Sequence, residues 1–499
     1  MQQRLSLIVN SVAVTLATEM FVLMSFFILF RLISDKFGPE YLGIFALIKR
    51  IIVFAIPLLL LGLYDYLSRY LPMKRNDSER MVMVTTGLTV LVCASVMVMA
   101  AVNIDQHKSS ELLFGDKKYH SLVAPFTLLL IGLSLQTFVL AVLRGYFRIL
   151  SLNLLQLIAH GVLPIILVVI HQGDFQTFLT NLGVMYCITP ILFLLSVTLK
   201  DWHDIKWRSW KSIVKYNFIY GLPRVPNRLI EGAFFALPPL IAVNYLSMKE
   251  VGYLALALSL MIGVTGVITP LSMVILPHIS SLVAQKKNHI ISNKIHILNG
   301  GIIQVLVFMV SQLIVYTDLV LTVWMGREYL PAVSVVSIIL LAALFYGFYE
   351  GTRSVLDAVL VKAKNTKNSI IAMCLLIIMI YLIPMYVDRG EMMNYFAASF
   401  SISMLALALL TYYDLRKLFP KYIKKDVKNI VVAFSLNVPL ILVAYWIKPY
   451  ASNNVLTFIL AESLIGIAYI IGLLIFKSEW ILLLKNVILD RRVRDNNAY

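Results

Sequence analysis

Lys49 and Arg50 stand side by side in an apolar stretch running from about Tyr41 to Leu63, long enough to cross a bilayer. A lone Lys or Arg at the centre of such a helix costs roughly 2.5–3.5 kcal/mol on insertion. Two neighbours there are tolerable only against a wet cavity, a resident acid or a bound anion. Arginine offers a planar fork that fits phosphate bidentately, and lysine offers a compact point charge, so the pair suits a diphosphate clamp. The competing reading is a structural ion pair with Glu19, which lies midway along the first apolar stretch. Arg224, Arg228 and Glu231 form a second charged group, between about Tyr220 and Tyr245. Their spacing puts all three on one helical face, and such a face in a membrane helix turns inward. Arg224 could equally snorkel to the headgroups, and Arg228 could simply pair with Glu231. Lys49, Arg50, Arg224 and Arg228 are therefore the candidate substrate-binding cations, and Glu19 and Glu231 the candidates for coupling to H⁺ or Na⁺.

Other charged and polar positions carry weaker signals. Arg144 and Arg353 sit at the cytoplasmic ends of equivalent helices about 210 residues apart, with Glu350 three positions before Arg353; they are candidate gate residues, the competing reading being ordinary solvated helix ends. Asp65 and Arg69 are spaced for a local pair. His160 reads as a hydrogen-bonded packing residue. Pro57, Pro164, Pro238, Pro239, Pro270 and Pro384 interrupt apolar stretches and can kink them.

The elements that must position these residues are membrane helices. The 499 residues are 60% hydrophobic and 14% charged, against about 25% charged in soluble domains. Roughly fourteen stretches reach the length needed to span, from about 10–33 and 41–63 through 220–245 to 429–447 and 455–476. The net charge of +17 is not a nucleic-acid signature, because the lysines and arginines concentrate in alternate connections. That bias places both termini in the cytoplasm. No cleavable signal peptide is expected, since residues 1–9 carry only Arg4 and no small-residue cleavage site follows. The opposite connections are short, the longest being about 103–120, so no outer domain is expected to host chemistry. Cys93, Cys187 and Cys374 lie inside apolar stretches with no disulfide or metal spacing. No phosphate loop, zinc motif or nucleophile elbow is present, and no metal site or other cofactor is expected.

The chain repeats itself. Gly38–Leu47 echoes Ser247–Leu256, and Leu113–Tyr119 echoes Val323–Tyr329, both at an offset of about 210 residues. Each pair precedes an apolar stretch, and an even number of stretches separates them, so the halves share one orientation. The expected fold is an all-α polytopic membrane protein with about fourteen transmembrane helices. It would comprise a first six-helix lobe (1–200), an amphipathic connector (201–219) rich in Trp, Lys and Arg, a second six-helix lobe (220–415), and two added helices with a basic tail (416–499).

Phe37–Phe45, Gly62–Pro72, Tyr220–Pro223, Glu250–Tyr253, Pro277–Ser280 and Trp324–Tyr329 resemble the Wzx-type polysaccharide flippases of the multidrug/oligosaccharidyl-lipid/polysaccharide exporter superfamily. The resemblance implies a multi-pass protein of the bacterial cytoplasmic membrane that is not an enzyme. Such a protein alternates between inward-open and outward-open states. It flips undecaprenyl-diphosphate-linked oligosaccharide units for O-antigen, capsule or exopolysaccharide synthesis. The implied partners are the lipid-linked glycan, the bilayer, a polysaccharide polymerase and a chain-length regulator, with no nucleic acid. MurJ-like relatives carry the lipid-linked peptidoglycan precursor and also place cations in a central cavity.

Two other readings stand. A multidrug or cation antiporter of the same superfamily would favour an acidic cavity, whereas the buried cations here outnumber the buried acids. A membrane glycan polymerase or ligase would carry a long outer loop, which is missing.

Overall fold

The computed structural model describes residues 2–74, 76–199, 210–266, 268, 288–359, 364–419, 423–451 and 455–482. Regular structure among them is helical throughout, as a lipid-facing chain requires, because a helix satisfies its own backbone hydrogen bonds. In chain order the helices are α1 (Gln2–Phe37), α2 (Pro39–Leu60), α3 (Leu63–Tyr70), α4 (Asp77–Asn103), α5 (Gln106–Phe114), α6 (Val123–Gly145), α7 (Ile149–Gln156), α8 (Leu163–Ile170), α9 (Phe175–Thr198) and α10 (Trp210–Tyr220). They continue as α11 (Val225–Ala242), α12 (Met248–Gly266), α13 (Asn288–Val315), α14 (Thr317–Trp324), α15 (Val333–Val359), α16 (Lys364–Tyr386), α17 (Met392–Leu418), α18 (Ile423–Ala451) and α19 (Val455–Ile475).

Thirteen helical segments are long and apolar enough to cross a membrane among the described residues. The expected stretch at about 220–245 is the exception. Its chain breaks at Gly221 and a 3₁₀ turn over Leu222–Arg224, and α11 is then 18 residues long, diluted by Asn227, Arg228 and Glu231. Residues 201–209 of the connector, Pro270, the Pro277–Ser280 segment and the tail from residue 483 onward lie outside the described residues.

The echoes in sequence become matching local structures. Helix α5 ends at Gly115 with φ 70°, and a 3₁₀ turn over Lys117–Leu122 leads into α6. Helix α14 is followed by Gly326 with φ 102°, and a 3₁₀ turn over Arg327–Ala332 leads into α15. The positive φ at both reversals is why glycine stands there.

The chain folds as two compact units, Met1–Ala255 and Leu256–Tyr499. In the first, α6 packs against α9, and α11 lies along α2. That second pairing places α11 with the first unit. It is made close by Gly232, where a Cβ would meet the Phe54 backbone at 2.9 Å. Near the start of α2 the repeat-related Gly43 and Gly252 touch, so that a Cβ on Gly43 would lie 2.9 Å from the Gly252 Cα and 2.6 Å from the Met248 carbonyl oxygen. Gly43→Val must push these backbones apart. It is expected to cost about 1–3 kcal/mol, the usual range for overpacking, read as a lowered melting temperature in detergent.

In the first unit the α7–α8 stretch carries a π turn over Leu157–Val162 just before Pro164. A proline has no N–H to donate, so the regular ladder cannot run through it. Helix α9 is started by Asp174, whose Oδ1 accepts the Thr177 amide at 3.0 Å. The Thr177 hydroxyl and amide hold the Asp174 carboxyl below its ordinary value. The carboxyl thus stabilises this end when ionised, and the effect is lost as pH falls through and below about 4. Faster amide exchange at Thr177 under acid than at neutral pH, after correction for intrinsic rates, is the expected readout.

In the second unit α15 packs against α17, and the last two helices are fastened to α13. The fastenings run the length of α18: His296 Nδ1 to Asp426 at 2.7 Å, Ser311 to Asn437 at 3.0 Å, and Lys448, which donates to the Val315 carbonyl at 2.8 Å and pairs at 2.7 Å with Asp318 at the start of α14. The Phe308 and Tyr469 rings stack at 4.5 Å, seating α19 beside them.

Candidate functional site

Helix α2 carries Lys49 and Arg50 about midway along its length, with Leu42–Ile48 buried before them and Ile51 and Ile52 buried after. Both cations are half-buried. Adjacent helical positions diverge by about 100°, and the two side chains separate accordingly. The Arg50 guanidinium lies 6.0 Å from the Phe235 ring on α11, while the Lys49 ammonium lies 5.9 Å from the Phe45 ring. Lys49 is near enough to the π turn to act electrostatically on His160. The His160 Nδ1 in turn lies 3.5 Å from the Tyr186 hydroxyl. No carboxylate stands within ion-pair distance of Lys49 among the described residues.

The ion pair between these cations and Glu19 does not form. Glu19 is exposed on α1 and accepts the Gln156 side-chain amide at 3.4 Å. Glu231 is half-buried on α11 and accepts the Asn227 amide at 3.0 Å.

A second cluster lies where α2 ends. Leu61 adopts φ 47° and Gly62 φ 82°, turning the chain from α2 into α3. The Gly62 and Gly221 backbones meet here, and a Cβ on Gly62 would fall 2.1 Å from the Gly221 carbonyl carbon. That approach brings α3 against α10 and the start of α11. The Arg228 fork then grips Asp65 with both arms, Nε to Oδ2 at 2.9 Å and Nη2 to Oδ1 at 2.6 Å. This corrects two expectations. Asp65 does not pair with Arg69, and the principal acid on Arg228 is Asp65 rather than Glu231. The reason is the break at Gly221, which moves Arg228 into the first turns of α11, opposite α3.

Arg69 turns to Tyr220, donating to its hydroxyl at 2.7 Å with the guanidinium 4.8 Å from the ring. Arg224 covers the same ring at 3.6 Å. Arg144 donates to the Tyr64 hydroxyl at 2.6 Å, and Arg228 stands 5.1 Å from the Tyr64 ring. Four arginines, of α3, α6, the α10–α11 junction and the start of α11, thus share two tyrosines and one aspartate. Arg353, in the second unit, pairs with Glu350 at 3.2 Å, and Glu350 also accepts the Tyr346 hydroxyl at 2.9 Å. Sequence reading missed Tyr64, Tyr220 and the role of Asp65. Nothing local marks a partnership across 163 residues, although Asp65 and Tyr64 lie in the Gly62–Pro72 segment that carries the family resemblance.

The geometry therefore offers two different charged features in the first unit. One is a pair of cations at mid-helix, whose lysine has no carboxylate paired to it among the described residues, and the other is an arginine–tyrosine–aspartate latch at the end of α2. No group of three or more metal-ligating side chains exists among the described residues.

No family model and no curated protein matches the sequence. Solved structures do match the fold. The structure titled lipid II flippase MurJ, inward closed conformation, aligns with a TM-score of 0.71 over 94% of this chain and 99% of that one, at 15% identity. An inward-facing multidrug resistance MATE family transporter of the MOP superfamily aligns with a TM-score of 0.64 over 82% of this chain and 99% of that one, at 14% identity. A MOP superfamily transporter from Pyrococcus furiosus, titled for the reverse polarity of its binding pocket, aligns at 0.50 over 82% of this chain and 94% of that one, at 14% identity. The chain is a multi-pass helical membrane protein whose fold is similar to those of this lipid II flippase and this multidrug transporter.

Proposed function

We propose that the protein is a transporter that flips a polyprenyl-diphosphate-linked oligosaccharide across the bacterial cytoplasmic membrane for surface polysaccharide synthesis. The observation that carries this reading is the mid-helix pair Lys49 and Arg50, half-buried, with no acid paired to Lys49 among the described residues. Charge at that depth is retained against an insertion cost of several kcal/mol only where it meets water or something negative. A lipid-linked diphosphate supplies that charge, bidentate on Arg50 and as a point contact on Lys49. Arg224 and Arg228 offer further cations toward the same headgroup once the Asp65 pair opens. Glu19 and Glu231 are the coupling acids in this reading, taking H⁺ or Na⁺ in one state and releasing it in the other. Arg144 and Arg353 act at the gates of their own units. Both termini face the cytoplasm, and a polymerase with its chain-length regulator takes the product. The chain performs no covalent chemistry.

The fold likeness to multidrug transporters keeps the antiporter reading in view, but the α2 cations disfavour a cationic drug. The deciding experiment reconstitutes the protein in liposomes with a fluorescent polyprenyl-diphosphate disaccharide and, in parallel, with ethidium. Movement of the lipid-linked sugar between leaflets, with none of ethidium, is the expected result. Ethidium transport without lipid movement would replace the flippase with the antiporter.

A further inference from the structure

A polar cleft of about 310 Å³ opens where α2 and α9 begin and the 3₁₀ turn before α6 crosses between them. Its walls differ from the apolar helix faces around it. Glu40, Lys118, Ser121, Asp174 and Gln176 line it together with the rings of Tyr41 and Phe175. The size falls at the lower end of small-molecule sites, about 300–1,000 Å³.

Which groups are already committed decides what the cleft can bind. Glu40 uses one oxygen for structure: Oε1 accepts the Tyr119 hydroxyl at 2.5 Å and pairs with Lys118 at 3.5 Å. Its Oε2 has no protein partner among the described residues. The Gln176 amide and the Ser121 hydroxyl are likewise without side-chain hydrogen bonds among those residues. Glu40 Oε2, the Ser121 hydroxyl and the Gln176 amide, which carries both donor and acceptor, are therefore among the groups left for a ligand. Tyr41 is 40% exposed, and its ring is held against Phe175 with centroids 4.8 Å apart. An aromatic ring fixed at a cleft wall beside uncommitted hydrogen-bonding groups matches the two-sided chemistry of a pyranose. The C–H face of the sugar stacks on the ring, and its hydroxyl rim takes the polar groups. An acyl chain would strand those polar groups. A metal ion would need a ligand cluster that is absent among the described residues.

We infer that this cleft is a carbohydrate subsite that holds one sugar residue, with Tyr41 as its stacking platform and Glu40, Ser121 and Gln176 as its hydroxyl partners. Its part in glycan export rests on the flippase reading, whereas sugar recognition rests on the cleft alone. The cleft is separate from Lys49 and Arg50, which lie about two and a half turns further along α2.

The test uses the full chain in lipid nanodiscs and saturation-transfer NMR with glucose, galactose, rhamnose and N-acetylglucosamine as probes, glycerol serving as the background polyol. At least one pyranose is expected to receive transfer several-fold above glycerol. Tyr41→Ala and Gln176→Ala should each reduce that transfer at least fivefold, while Tyr41→Phe, which keeps the ring, should retain it. The inference is overturned if no probe exceeds glycerol, or if transfer survives both Tyr41→Ala and Gln176→Ala. Gln176 is exposed, so its variant remains informative even if the loss of the Tyr41 ring unsettles Phe175. Failure of lipid flipping in liposomes with sugar transfer intact would remove the flippase reading and leave the cleft standing.

Discussion

Exchanging Lys49 and Arg50 together for leucine is expected to cut translocation of a polyprenyl-diphosphate glycan about 100-fold while leaving the protein at least as stable as before. The two effects have one origin. Each charge-assisted hydrogen bond to a phosphate contributes about 1.5–3 kcal/mol, so losing two such contacts removes about 3 kcal/mol or more, equivalent to roughly two powers of ten. Without substrate the same cations are a burden on the fold, costing about 2.5–3.5 kcal/mol each on insertion scales. Leucine removes that burden and packs with the buried Ile48, Ile51 and Ile52. Liposome flipping and thermal unfolding measured on one preparation give the answer. Unchanged flipping, or a marked loss of stability, would return the pair to a structural role.

The second large effect concerns the latch. Arg228→Asp and Asp65→Arg, made singly, are each expected to lower translocation about tenfold and to reduce stability by about 1 kcal/mol. The stability figure is modest because the Arg228 side chain is 44% exposed, although Asp65 is only 18% exposed. Each single change sets like charges opposite one another across the Gly62–Gly221 approach. The double exchange restores opposite charges and should recover the stability. Translocation should stay low in the exchanged protein, because the cation then stands on α3 and α11 has lost the charge it offers to phosphate. Full recovery of both quantities would show that Arg228 serves the latch alone, and would take it out of the substrate path.

Much of the architecture is legible in residue patterns. Apolar length marks most of the helices, and the Gly115 and Gly326 echoes mark two reversals that share one backbone design. The seventh stretch is harder, because hydropathy does not show that Gly221 and Pro223 end one helix and let another begin. That break moves Arg228 from mid-helix to a helix start. Pair assignments fail for a related reason. Spacing rules see neighbours three or four apart, so they match Asp65 to Arg69 and Arg228 to Glu231. The decisive contacts join residues 163 apart for Asp65 with Arg228 and 151 apart for Arg69 with Tyr220. The isolation of Lys49 from carboxylates is not legible either: the sequence leaves Glu19 open as its partner, and only the structure sets Glu19 against Gln156.

The meeting of Gly43 with Gly252 has a historical reading. If the halves of this chain descend from one duplicated gene, these two positions began as one codon. In a symmetric pair of half-length ancestors, that glycine would have faced its own copy across the dyad, and any side chain there would have collided with itself. Duplication released the two sites to drift separately, yet each still forbids bulk at the other, so an enlargement at either is constrained by its former twin.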